Sequence, residues 1–157
     1  MVRLAVAGRP RFEVSDIELR RRGPSFTVDT LEALGRDGDE LILLVGSETF
    51  LDLLSWRQPR RIVELARLAV VPRTGSTFDT ESTAALKVLR EIGAERFVTS
   101  AAALAPRAVV VLHATSLPVS SSDLRARTHE GRSLAFRTPD AVIAYIERRR
   151  LYVAAES

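Results

Sequence analysis

Three serines and an arginine carry the clearest chemistry in this chain: Ser120-Ser121-Ser122-Asp123-Leu124-Arg125. They follow an apolar run and Pro118, and they open an amphipathic segment. Hydroxyls and free backbone N–H groups at a helix start attract an anion such as phosphate. Arg125, one turn further on, can grip the same anion. The competing reading is purely structural: a serine N-cap followed by a surface arginine.

Other segments also hold residues that could act. Ser25-Phe26-Thr27-Val28-Asp29-Thr30 reads as a helix start, capped by Thr27 or Asp29, with Asp29 and Glu32 as a capping box. Trp56, the only tryptophan, closes the segment Phe50–Ser55, and a lone tryptophan after such a pattern normally joins the core. Gly46-Ser47-Glu48 stands at the C-terminal end of an apolar strand, the edge where open α/β sheets bind ligands. Arg73 ends another strand and begins a loop. His113 ends a third. It has no His, Cys or carboxylate partner at ligand spacing, so the sequence assigns no metal site.

The elements that must position these residues alternate between strands and helices. Leu41–Val45 is a continuous apolar run, as expected of a parallel strand buried on both faces. Leu68–Val71 and Val109–Leu112 read the same way, with Phe97-Val98 as a short strand between them in sequence. Phe12–Leu19 is rich in β-formers, although its alternation is imperfect. Thr83–Ile92 is expected to be a helix with Ala85, Leu86, Leu89 and Ile92 on its apolar face. A last helix is expected to start with Thr138 as N-cap and Pro139 at the first helical position, and to carry Val142, Tyr145 and Ile146 as its stripe. Arg148–Arg150 then lie near its C-terminal end, where positive charge is favoured. Val2–Ala7 resembles the end of a helix closed by Gly8, and Pro72–Asp79 is the expected mobile loop. The pattern implies an α/β domain with a mainly parallel sheet.

Composition bounds the rest. With no cysteine, disulfides and cysteine-ligated metals are excluded, and the cytoplasm is the expected compartment. No apolar run approaches the roughly 20 residues that span a bilayer, so no membrane partner is expected. The net charge is +3, and Lys87 is the sole lysine. Arginine suits a nucleotide substrate, though codon usage accounts for the bias as well. Arg20–Arg22 and Arg148–Arg150 read as solvated faces. No aromatics interleave with them, so no nucleic-acid partner is expected. A homo-oligomer stays open.

Four segments taken in order carry a family resemblance: Gly23–Leu31, Leu44–Glu48, Trp56 and Val119–Arg125. Together they resemble the nicotinate-nucleotide adenylyltransferases, which make the dinucleotide precursor of NAD. Thr138–Val142, Tyr145-Ile146 and Leu151-Tyr152 extend the likeness to the end of the chain. The resemblance implies a Rossmann-like nucleotidyltransferase fold. It also implies transfer of the adenylyl group of ATP, with Mg2+, to nicotinate mononucleotide, releasing pyrophosphate. It gives Ser120, Ser122 and Arg125 the ATP phosphates. It gives Thr27, with nearby backbone N–H groups, the pyridine carboxylate, and Trp56 the nicotinate ring. Gly46, Glu48 and Arg73 fall to the ribose and nucleotide. Three positions depart from the family pattern: Phe26 replaces a tyrosine, Glu48 an aspartate, and Ser122 a threonine.

The family's opening glycine-rich turn and His-x-Gly-His motif are not in the chain, whose only histidines are His113 and His129. Catalytic residues are therefore left unassigned. The expectation is a single nucleotidyltransferase-like domain over 1–157, N-terminally incomplete, lacking one or more strands and weak or inactive alone. Two other readings compete. One is a non-catalytic relative that binds a nucleotide or a partner protein. The other is a sister nucleotidyltransferase with another phosphate substrate, such as phosphopantetheine, which the combination of Thr27 and Trp56 disfavours.

Overall fold

Four apolar runs become four parallel strands: β1 (Leu41–Gly46), β2 (Ala66–Val71), β3 (Arg96–Val98) and β4 (Ala108–Val111). The computed structural model describes all residues except 36–37, 73–77, 101–102, 104, 114, 116 and 154–157. Arg73 and most of the expected loop Pro72–Asp79 therefore lie outside the described residues. The chain divides into two compact units, Ile17–Ser116 and Met1–Asp16 with Leu117–Ser157.

In the Ile17–Ser116 unit the sheet order is β1-β2-β4-β3. Leu43 pairs with Leu68 and Val45 with Val70 across β1 and β2, while Leu68 pairs with Val109 across β2 and β4. Parallel pairing demands long crossovers, and helices α5 (Pro59–Leu65) and α6 (Thr83–Glu91) lie within two of them. Leu68, Val70 and Val109 are wholly buried with Phe50, Leu53 and Ile62. Phe50, Phe78 and Phe97 meet edge to face, their centroids 5.6–6.0 Å apart.

Four expectations are corrected here. The run in β1 is not buried on both faces: Ile42 and Leu44 are 52% and 63% exposed. β1 is an edge strand, and only its Leu41, Leu43 and Val45 side packs on the core. In α6, Leu86 is exposed and Val88 is buried, so the apolar face is Ala85, Val88, Leu89 and Ile92. Ser82 caps this helix by accepting the Ala85 N–H at 3.3 Å. Gly93, at φ +82°, closes it as a Schellman turn, in which Leu89 O accepts the Ala94 N–H and Arg90 O the Gly93 N–H. Phe12–Leu19 holds no strand; a short helix, α2 (Ile17–Arg20), forms within it. Side-chain anchoring overrides β-propensity there, because the Thr30 hydroxyl donates to Glu18 Oε1 at 2.7 Å. Finally, α3 (Thr27–Leu34) begins at Thr27 with Phe26 as its N-cap, so neither Thr27 nor Asp29 caps it.

The other unit contains α1 (Val2–Val6), α7 (Ser121–His129) and α8 (Asp140–Arg148). Leu134, Val142 and Ile146 form its small core, with Leu124, Ile143 and Leu151 against them. α8 starts one residue later than the sequence implies, with Pro139 as N-cap, because its carbonyl accepts the Val142 and Ile143 N–H groups. Tyr145 is half-buried beneath the guanidinium groups of Arg148 and Arg149.

Candidate functional site

The start of α3 is held from outside by polar contacts. Arg21 donates to Thr30 Oγ1 at 3.2 Å, and Ser25 Oγ donates to the Glu18 carbonyl at 3.3 Å. Phe26 O accepts the N–H groups of Asp29 and Thr30. Phe26 offers no side-chain cap, so the Thr27 and Val28 amides are left for another acceptor, and the positive end of the helix favours an anion. Thr27 is the first helical residue and is half-buried.

Trp56 lies in a second segment. It ends the 3-10 turn Leu53–Ser55, donating its N–H to Leu53 O at 3.1 Å. Its side chain packs against the main core yet keeps a partly open face. Gln58 follows in the left-handed region at φ +53°, and Pro59 then opens α5. α5 is tied to α3 by Arg61, which donates to Glu32 at 3.3 Å and to Glu64 at 2.9 Å. Those two carboxylates, Glu64 first, hold the exposed Arg61 guanidinium above its ordinary pKa. The two segments meet through a contact the sequence reading missed. The Arg57 guanidinium stands 4.7 Å from the ring centroid of Phe26. Arg57 follows Trp56 directly and Phe26 directly precedes Thr27, so this contact brings the Thr27 and Trp56 segments together. Adjacency to Trp56 was the only sequence signal that could have marked Arg57.

Gly46 ends β1 and caps α4 (Ser47–Leu51), while Glu48 is exposed in the first turn of that helix. A Cβ on Gly46 would meet only Thr49 Oγ1, at 3.8 Å. The fold therefore does not itself require glycine there. Ser47 is the one buried polar residue among the described core positions. His113 is exposed, two residues beyond the end of β4.

The phosphate-type segment belongs to the other unit. Ser120 is the N-cap of α7, its Oγ accepting the Asp123 N–H at 3.0 Å. The structural role foreseen for it is therefore real, but the hydroxyl hydrogen can still be donated. Ser121, Ser122 and Arg125 are exposed around this end. Arg125 lies 6.0 Å over the Tyr152 ring. The one carboxylate of the first turn, Asp123, pairs with Arg137 at 3.4 Å, which offsets its repulsion of an anion. Gly131, at φ +68°, closes α7 by another Schellman turn. Among the described residues, no group of three or more His, Asp or Glu could hold a metal ion, and no helix is long and apolar enough to cross a membrane.

A parallel sheet flanked by helices is a Rossmann-like arrangement. The chain superposes on the Plasmodium falciparum nicotinic acid mononucleotide adenylyltransferase complexed with APC, with a TM-score of 0.55 at 16% identity. The overlap covers 83% of this chain and 60% of that one. No family model matches the chain. Among curated relatives, a probable nicotinate-nucleotide adenylyltransferase of Roseiflexus sp. (strain RS-1) is 40% identical over 153 residues, 97% of this chain and 69% of the relative. That of Thermus thermophilus is 37% identical over 154 residues, spanning 97% of this chain and 70% of the relative. The chain belongs to the nicotinate-nucleotide adenylyltransferase family, nucleotidyltransferases of NAD biosynthesis, and it is shorter than these relatives.

Proposed function

We propose that this chain carries the nicotinate mononucleotide and ATP subsites of an adenylyltransferase. A phosphate oxygen of nicotinate mononucleotide attacks the α-phosphorus of ATP. The bond to the β-phosphate breaks, pyrophosphate leaves, and nicotinate adenine dinucleotide forms. Such chemistry needs positioning and charge neutralisation more than covalent catalysis. Trp56 stacks on the electron-poor pyridine, an arrangement that contributes about 1–3 kcal/mol per base in analogous sites. Thr27 and the first amides of α3 receive the carboxylate. Ser120, Ser122 and Arg125 hold ATP phosphates, while Gly46, Glu48 and Arg73 serve the ribose and nucleotide. Mg2+ enters as part of MgATP, chelated by phosphate oxygens, the usual mode for an ion that keeps much of its water shell. The cytoplasm, where both substrates occur, is the compartment for this reaction.

The observation that carries the reading is the joining of the Thr27 and Trp56 segments through Phe26 and Arg57. Incubation with nicotinate mononucleotide and MgATP tests it, following nicotinate adenine dinucleotide and pyrophosphate together. Because the chain is expected to be weak or inactive alone, saturable binding of both nucleotides, measured alongside, supports the subsites even without product, and failure to bind them refutes the reading. Turnover with phosphopantetheine in place of the pyridine nucleotide supports a sister transferase.

A further inference from the structure

We infer that Arg57 is a substrate-binding residue in its own right, whose side chain reads the charge of the pyridine substituent and favours nicotinate over nicotinamide. The inference rests on the reading that Thr27 and Trp56 flank the pyridine ring. Three arginines cluster here, and two are already engaged. Arg60 donates to the Glu91 carbonyl at 2.8 Å, and Arg61 binds Glu32 and Glu64. Arg57 pairs with no carboxylate among the described residues. Its charge stands instead over the face of Phe26 at 4.7 Å.

That placement has chemical consequences. A ring beneath the guanidinium steadies it without consuming its in-plane N–H donors. The backbone is fixed as well, by Gln58 in the left-handed region and by Pro59. A cation is thus held beside the residues assigned to the pyridine ring and its carboxylate. Nicotinate offers two anionic oxygens to the guanidinium fork, whereas the neutral carboxamide offers a single carbonyl acceptor and no opposite charge. The same amide would also bring N–H donors toward a guanidinium that cannot accept them.

Trp56, the only tryptophan, provides the optical probe. The full chain and its R57Q, R57K and F26L variants are titrated with nicotinate mononucleotide and, separately, nicotinamide mononucleotide. Emission is followed, with calorimetry on the same samples to detect binding that leaves emission unchanged. R57Q is expected to lose about five- to tenfold in affinity for the nicotinate form and less than about twofold for the nicotinamide form, as befits an exposed, charge-assisted contact. R57K should keep part of the preference, and F26L, which unseats the guanidinium, should lose part of it. Equal losses for both nucleotides would mean that Arg57 serves the phosphate or the fold, and would overturn the inference, as would no loss in R57Q. A wild-type chain that binds neither nucleotide refutes the pyridine-pocket reading itself. A wild-type chain that binds nicotinate mononucleotide, with selectivity unchanged in R57Q, refutes only the role of Arg57.

Discussion

Ser120 stands at the point where stability and binding can be separated by two substitutions. Its Oγ accepts the Asp123 N–H at 3.0 Å, a side-chain cap whose removal costs about 1 kcal/mol. For a chain of this length, S120A should therefore melt about 2–4 °C lower. S120D keeps an acceptor for that amide and adds a negative charge at the positive end of α7. The melting temperature should hold or rise, because a carboxylate there contributes about 0.3–1 kcal/mol. An ATP phosphate bound at the same helix start meets the opposite outcome. Two like charges about 4 Å apart repel by about 1 kcal/mol in water and about 4 kcal/mol near a protein surface. Ser122 and Arg125 are exposed, so the lower end applies, and S120D should lose at least about fivefold in MgATP affinity relative to S120A. Thermal melts and calorimetric titration with MgATP read the two effects separately. A well-folded S120D that binds MgATP as tightly as wild type would refute the assignment of this helix start to phosphate.

The remaining substitutions test backbone and packing. α8 ends in a Schellman turn with Arg150, not glycine, at φ +49°, so R150G should raise stability by about 0.5–1 kcal/mol in a denaturant melt. G46A should leave stability within about 0.5 kcal/mol, since its Cβ finds ordinary space 3.8 Å from Thr49 Oγ1. It should nevertheless weaken nucleotide binding severalfold if a ligand approaches that backbone, as calorimetry would show. Leu68 is wholly buried in a strand paired on both sides, so L68A should cost about 2–5 kcal/mol in the same denaturant assay.

The strands were legible because parallel sheets leave long apolar runs, and Leu41, Leu68 and Val109 each lie in one that formed a strand. What the run in β1 could not reveal was its place at the edge. Ile42 and Leu44 have the composition of a buried strand, and only the strand order shows them exposed. In α6 the period was right and the phase slightly wrong, because Leu86 and Val88 are equally apolar and packing alone selects between them. Of the candidate residues, Ser120 was readable as a helix cap from its type and position, whereas the cap foreseen at Thr27 or Asp29 did not form. Arg57 was not, since its contact with Phe26 joins segments distant in sequence and no local period signals it. Arg73 lies outside the described residues.

The two helix starts assigned to ligands differ in a way that bears on how each binds. Both were expected to be capped by a side chain, and only α7 is, through Ser120. An anion at α7 must share the first turn with its own cap. It depends chiefly on the exposed Arg125 and on donated hydroxyl hydrogens, so its affinity should fall as salt screens the charge. The first turn of α3 has no side-chain cap, because Phe26 stands where a serine or aspartate would normally accept, and only its carbonyl takes up the Asp29 and Thr30 amides. On the proposed reading, a ligand carboxylate takes the place of the cap there, accepting from the amides that no side chain caps. Phe26 would then do two things that a polar cap could not: leave those amides for the ligand and seat the cation of Arg57 on its ring.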